Sequence, residues 1–248
     1  MEKRPYLKLL LQWGITAVIA FIAAKWGIVI PPLPEIPSQA EPIPEKPSPK
    51  LIANAAQAIS RITFGSSGCT ATPVGEPRPD GRIWVLTAAH CVREVGQRGT
   101  LYTQKGEQLT VTVAGIDSIA DCAWLLTDST SLHIPFAELS DQIPQPGAKV
   151  WHAGYGVHMP RNTEYGTFVS GPDSNGQLRF RLSVSSGDSG GAIVIDEQGR
   201  ILSCVCCTSA RGQTADVWGS GPIAIASLRR SIVEFPDWKP ADIPIRKE

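Results

Sequence analysis

The sequence predicts an all-β domain at residues 51–248, carried behind an apolar N-terminal helix and a proline-rich stalk. Three observations predict it. Short β-branched and apolar runs recur through this part of the chain, parted by Gly, Pro, Asp and Asn clusters, as strands are parted by turns. Residues 1–50 have no globular pattern. The 42% hydrophobic content supports a real core, and the roughly 200 residues that remain suit one domain and are tight for two. The formal net charge of +0 argues against a nucleic-acid partner held by bulk charge.

Lys3, Arg4 and Lys8 form a basic flank ahead of Leu9–Ala24, which carries no charge. A spanning helix needs about 20 apolar residues. Leu9–Ile30 meets this if Lys25 snorkels to the far headgroups with Trp26 beside it at the interface. The basic flank puts the N-terminus in the cytoplasm and sends the downstream domain across the membrane, so the expected location is a single-pass membrane protein with its domain on the extracytoplasmic side. Two alternatives stay open: a cleaved signal peptide ending near Ile22-Ala23-Ala24, which also exports the domain in secreted form, and a buried core helix, which the flank and the following prolines disfavour. Pro31–Lys50 holds eight prolines and reads as an extended stalk reaching about 60 Å at about 3.1 Å per residue, or else as a docking motif for proline-reading domains. The divisions are therefore 1–30, 31–50 and 51–248.

Within the domain, Ala53–Ser60 favours a short helix and Arg61–Phe64 a strand. Cys69–Val74 reads as the next strand and Pro77–Gly81 as its turn. Ile83–Thr87 is apolar and β-prone, a buried strand ending just before His90. Gln108–Ala114 alternates polar and apolar residues, and Ala123–Leu126 follows Asp121. Asp128–Gly147 is polar and contains Pro135, Pro144 and Pro146, a crossing between two halves. Lys149–Gly154, Tyr165–Ser170 and Gln177–Leu182 are strands, with Asp173-Ser174-Asn175-Gly176 as a hairpin turn. Arg179 and Arg181 alternate with Phe180 and Leu182 and belong to a solvated face. Ala192–Ile195 and Ile201–Cys207 pair around Asp196-Glu197-Gln198-Gly199. Ile223–Ala226 is read as the last strand. Ile225, Leu228, Ile232 and Phe235 recur at helical spacing until Pro236, and Asp237–Glu248 is a surface tail.

Ser186-Gly187-Asp188-Ser189-Gly190-Gly191 is a poor strand, since glycine forgoes packing and loses most entropy on folding. It suits a sharp turn whose N–H groups approach another molecule, as beneath a nucleophilic serine, and by itself it also suits a simple turn. Upstream stands Val85-Leu86-Thr87-Ala88-Ala89-His90-Cys91, and between them Asp121-Cys122-Ala123-Trp124-Leu125-Leu126. Gly187–Gly191 also fits the G-x-S-x-G elbow of α/β-hydrolases, but that fold places its histidine after the serine, and His90, His133, His152 and His158 all precede Ser189. The latter three histidines are read as structural or exposed.

The order His, Asp, Ser in these motifs resembles the chymotrypsin/trypsin-like serine peptidases, with their T-A-A-H-C turn, D-x-A-L-L strand and G-D-S-G-G loop. The resemblance covers roughly the last four-fifths of the chain. It implies two six-stranded antiparallel β-barrels with a C-terminal helix. It also implies an endopeptidase acting on protein or peptide substrates, with Ser189 as nucleophile, His90 as general base and acid, and Asp121 orienting His90. The N–H groups of Gly187 and Ser189 would form the oxyanion hole, and no cofactor or metal is needed. Asp117 competes with Asp121 but leads into no strand.

The same resemblance implies a Cys69–Cys91 disulfide across the histidine turn, two free thiols being the alternative. It places Ser183 at the base of the primary pocket, an uncharged group that gives no strong preference for basic residues, with Asp216 in a loop able to approach. It puts Cys206, Cys207 and Thr208 on the strand edge that pairs with substrate, Cys206 standing where many relatives have serine. Cys204, Cys206 and Cys207 match no zinc spacing and read as core thiols. In zymogens of this family a freed amino group pairs with the aspartate before the nucleophile, here Asp188. Arg61-Ile62-Thr63-Phe64-Gly65 superficially resembles the cleavage site, but Ile62 lies too few residues before Cys69 to reach the serine loop. Asp188 is therefore expected to find other partners, with no activating cut. A binding module that keeps the fold without catalysis is the alternative function.

Overall fold

The computed structural model describes residues 56–128, 134–156, 162–194, 199–210 and 213–234. The expected membrane helix Leu9–Ile30, the stalk Pro31–Lys50, the tail Asp237–Glu248, His133, His158 and the turn at 195–198 lie outside them. Among the described residues no helix is long and apolar enough to cross a membrane.

Twelve strands close into two antiparallel six-stranded barrels. The first comprises β1 (Ser60–Phe64), β2 (Ser67–Val74), β3 (Trp84–Thr87), β4 (Arg98–Tyr102), β5 (Gln108–Asp117) and β6 (Cys122–Thr127), ordered β1-β2-β3-β6-β5-β4 and closed by β4 on β1. The second comprises β7 (Lys149–Gly154), β8 (Asn162–Ser170), β9 (Gln177–Ser183), β10 (Ala192–Val194), β11 (Ile201–Thr208) and β12 (Thr214–Ser220), ordered β10-β11-β12-β9-β8-β7 and closed by β7 on β10. Closure removes exposed strand edges, and alternation fills each interior. In β9, Leu178, Phe180 and Leu182 are buried while Arg179 and Arg181 are exposed, as the period-2 pattern expects.

Each barrel has its own core. Ile62, Val85, Leu101, Val111 and Leu125 fill the first; Val150, Phe168, Phe180, Leu182 and Ile193 fill the second. A third cluster lies between them and includes Trp84, Trp124, Ala153, Ala192, Cys204 and Ile225. Ile225 comes from helix α1 (Pro222–Glu234), whose Ile225 carbonyl accepts the Trp124 indole N–H at 2.8 Å. Trp84 meets Trp124 edge-on at 6.0 Å, and the Arg229 guanidinium lies 5.5 Å over the Trp124 ring. A Cβ at Gly115 on β5 would overlap the Ile232 side chain, so the helix lies directly against the first barrel.

The structure corrects three expectations. Ile223–Ala226 is the first turn of α1, because Pro222 has the φ of a first helical position and lacks only an N–H that a helix leaves unused there. The last strand is instead β12, whose buried Ala215, Val217 and Gly219 were masked by the polar residues between them. β4 was not anticipated, and of Ala53–Ser60 only residues 56–58 are described as helical, Ser60 opening β1. In the crossing, residues 134–148 form no strand, though Ala137 and Leu139 bridge to Val74 and Ile201.

Candidate active site

His90 sits in a short 3-10 turn, Ala89–Cys91, directly after β3. A disulfide from Cys91 to Cys69 on β2 closes a 22-residue separation and pins this turn. In the chain-entropy account such a loop contributes about 3 kcal/mol. Asp121 precedes β6 with φ 58°, the one positive φ outside glycine among the described residues. Asp tolerates this left-handed conformation better than most side chains. The conformation aims its carboxylate back at the turn, where Oδ1 accepts the His90 backbone N–H at 2.9 Å and Oδ2 meets His90 Nδ1 at 2.8 Å. With Nδ1–H donated to Asp121, His90 Nε2 is left as a proton acceptor.

The electrostatics follow from these contacts. The Asp121 hydrogen bond raises the His90 pKa above its ordinary 6.5, outweighing the desolvation that lowers it. Burial works against the Asp121 carboxylate, yet hydrogen bonds from His90 and Cys206 hold its pKa below the ordinary range. Asp117, the rejected competitor, accepts the N–H groups of Ile119 and Ala120 and caps a turn.

The serine loop is held by both barrels. Thr70 on β2 donates its hydroxyl to Gly187 O at 2.7 Å and accepts Tyr155 N–H at 2.7 Å, while its backbone N–H donates to Ser189 O at 2.9 Å. Gly187 has φ 97° and Gly190 φ 80°; a Cβ at the first would strike Tyr155 O, and one at the second Thr70 O. Gly190 thus allows the loop to lie against the first barrel, and Gly187 allows it to lie against the Tyr155 backbone that follows β7. The N–H groups of Asp188, Gly190 and Gly191 donate within the fold. Those of Gly187 and Ser189 have no protein partner among the described residues.

Asp188 is fully buried, as expected with partners other than a freed terminus. Its Oδ2 accepts the Ser185 N–H at 2.7 Å and the Ser185 hydroxyl at 3.0 Å, and faces His152 Nε2 at 3.6 Å. Burial opposes its ionisation, but His152 and Ser185 together keep its pKa low. His152 is thus structural and buried, its Nδ1 meeting Ala192 O at 3.2 Å. Arg61 and Ile62 are paired in β1 with both β2 and β4, so a cut there would sever the first barrel.

His90, Asp121 and Ser189 line one cleft of about 290 Å³, with Ser185, Ser186 and Cys206 among its other walls. A second hollow of about 320 Å³ adjoins His90 and Ser189 from the side of Cys69, Cys91 and Phe64. Ser183 ends β9 and lines neither hollow, whereas the adjoining Val184, Ser185 and Ser186 line the first. Asp216 is on β12 rather than in a loop, with its carboxylate 3.9 Å from Arg181. On β11, Cys206, Cys207 and Thr208 line the cleft, Thr208 turning its hydroxyl to Ala210 O. Cys204 and Cys206 are buried but Cys207 is exposed, so the reading of three core thiols fails at Cys207, where a bulge breaks the alternation.

Sequence reasoning missed Thr70, Ser185 and the partnership of His152 with Asp188. A histidine inside the apolar run Val150–Ala153 was the available signal for the last; Thr70 acts on residues 85 or more positions away and leaves no local mark.

A family model for the trypsin-like peptidase domain matches residues 74–202, just over half the chain and inclusive of all three motifs. No curated protein sequence matches the chain. The fold is similar to that of an inactive form of Rv3671c from M. tuberculosis H37Rv, at 22% identity and TM-score 0.58, covering 78% of this chain and 97% of that one. It is similar also to a serine endoprotease from Yersinia pestis, at 16% identity and TM-score 0.61, covering 75% and 68%. The HtrA-type protease AlgW with tripeptide gives 19% identity and TM-score 0.62, covering 75% and 64%. The chain is thus a member of the trypsin-like peptidase family and a serine endopeptidase.

Proposed function

We propose that the protein is an exported, membrane-tethered endopeptidase in which Ser189, His90 and Asp121 form the catalytic triad. The observation that carries this is the two-point hold of Asp121 on His90, which leaves Nε2 as acceptor in the cleft that Ser189 lines. His90 Nε2 takes the Ser189 proton as Oγ attacks the substrate carbonyl. The free N–H groups of Gly187 and Ser189 receive the oxyanion. His90 then protonates the leaving amine, and water repeats the steps on the acyl-enzyme. Each oxyanion donor is worth about 3 kcal/mol in the transition state.

Hollows on both sides of the His90–Ser189 pair favour cleavage within a chain over trimming at an end. Among the described residues Asp121 is the one carboxylate lining them and is engaged by His90, so the proposed specificity carries no strong preference for basic residues before the scissile bond. Asp188 held by Ser185 and His152 supports competence without an activating cut. Export and tethering rest on Leu9–Ile30 and its basic flank, and the Cys69–Cys91 disulfide agrees with an oxidising compartment. A fluorophosphonate probe tests the triad: Ser189 is expected to label, and Ser189→Ala to lose both label and hydrolysis. A folded protein that does not label, and whose Ser189→Ala variant behaves identically, is a binding module instead.

A further inference from the structure

Successive residues of an extended strand point to opposite faces, so neighbouring cysteines in a regular strand do not touch. In β11 they do. Val205 pairs with Gly219 and Cys207 with Trp218, which leaves Cys206 as the extra residue of a bulge. The bulge brings Cys206 Sγ to 2.7 Å from Cys207 Sγ, in the wall of the cleft that holds His90 and Asp121. Cys206 is buried and donates its S–H to Cys207 Sγ, whereas Cys207 is exposed.

We propose that Cys206 and Cys207 form an oxidisable dithiol, a modification site at which a hydroperoxide closes a disulfide between the two neighbours and slows the peptidase. The hydrogen bond from Cys206, with His90 nearby, holds the Cys207 pKa below the ordinary thiol value and favours its thiolate. That sulfur attacks a peroxide oxygen, the O–O bond breaks, and the departing hydroxide or alkoxide takes up a proton. Cys207 is then a sulfenic acid. The Cys206 sulfur attacks it, the S–O bond breaks, and the hydroxide leaves as water with the Cys206 proton. Two thiols lose two electrons, and the hydroperoxide is reduced to water and an alcohol, or to two waters. Cys122 and Cys204 do not compete, since burial drives both thiols toward the inert protonated form, and Cys69 and Cys91 are already joined.

Closure removes the Cys206 thiol proton, one of the influences that hold the Asp121 pKa low, and leaves that carboxylate its two bonds from His90. It also distorts the strand expected to pair with substrate. Neighbouring Cα atoms are about 3.8 Å apart across a trans peptide, below the usual disulfide span of about 4.4–6.8 Å, so the bridge is strained and readily reduced. The effect on rate rests on the proposed triad; formation of the bridge does not.

The test treats the full chain in detergent with hydrogen peroxide and follows two readouts, peptide-mapping mass spectrometry and the rate of fluorophosphonate labelling. The fragment carrying both cysteines is expected to lose two hydrogens, and labelling to slow by about tenfold or more, the worth of one hydrogen bond to a charged group. A mild thiol reductant that leaves Cys69–Cys91 intact should reverse both. In Cys207→Ser the mass change disappears and peroxide no longer slows labelling relative to that variant's own untreated rate. In Cys206→Ser, Cys207 gains oxygen instead of forming a bridge. The proposal is overturned if the parent fragment keeps its hydrogens or only gains oxygen, or if the bridge forms with labelling unchanged. Failure to label before any peroxide counts against the triad, and the mass shift then decides the dithiol by itself.

Discussion

The two barrels furnish the cleft in different ways. The first is self-contained: His90 and Asp121 both belong to it, they bond at two points, and a disulfide within it fixes the histidine turn. The second cannot set its serine loop alone. Gly187 and Ser189 are bonded from across the interface by Thr70, and Asp188 is secured beneath them by Ser185 and His152. The proposed base is thus built into one unit, while the proposed nucleophile and oxyanion donors depend on the docking of two. Damage to the first half should change the chemistry and spare the fold; damage to the second should couple activity to stability.

The largest effect is expected from Asp121→Asn. It leaves the backbone conformation accessible but forces the wrong imidazole tautomer, so kcat should fall by about ten-thousand-fold. The melting temperature should move little. A loss under tenfold in steady-state peptide hydrolysis would assign the orienting role to another group. His152→Phe addresses the other half. It leaves the buried Asp188 carboxylate without its facing imidazole and with only its Ser185 bonds, and the fold should lose stability. Denaturant unfolding should show that loss and labelling of Ser189 should weaken, while the low-field proton of the His90–Asp121 bond persists in NMR spectra. If that proton vanishes as well, the halves are not independent.

The same contrast explains what could be read in the sequence. The histidine turn, the aspartate before β6 and the serine loop are local motifs, and the all-β alternation of β5 and β9 is local too. What escaped depends on register or on distance. The bulge at Cys206 is fixed by where β12 pairs, and β12 hides behind Asp216 and Thr214. β4 carries Arg98, Gly99 and Thr100, and only its pairing with β1 and β5 makes it a strand. Ile223–Ala226 has strand-like residues, but Pro222 and packing against the first barrel make it helical.

A smaller effect is expected at Thr70, the bond between halves. Thr70→Val strands Gly187 O and Tyr155 N–H, each unsatisfied group costing about 1–3 kcal/mol. Acylation should slow more than substrate affinity weakens, and Thr70→Ser should restore it. A rise in KM alone, with kcat kept, would show that Thr70 does not position the loop.

The mildest probe is pH. In the proposed mechanism only neutral His90 accepts the Ser189 proton, and Asp121 holds its pKa above 6.5. kcat/KM should therefore rise with pH through a midpoint above 6.5, and Asp121→Asn should move that limb down. Stability runs the other way. A raised folded-state pKa means that protonated His90 stabilises the fold fully below its unfolded value and that this contribution fades as pH rises through the folded one. Rates and an NMR titration of His90 across that range check both. An activity midpoint at or below 6.5 would contradict the Asp121 contact.

Helix α1 gives the order of assembly a direction. Trp124 belongs to the first barrel, yet its indole N–H and its apolar face are covered by Ile225 and Arg229, nearly at the end of the described chain. The N-terminal barrel therefore cannot be finished as it emerges from a ribosome or a translocation pore. Its tryptophan face stays bare until the last helix arrives, by which time Ser189 has already been delivered. Cleft and closure are completed together, late in synthesis, so a chain caught half-made carries no functioning blade.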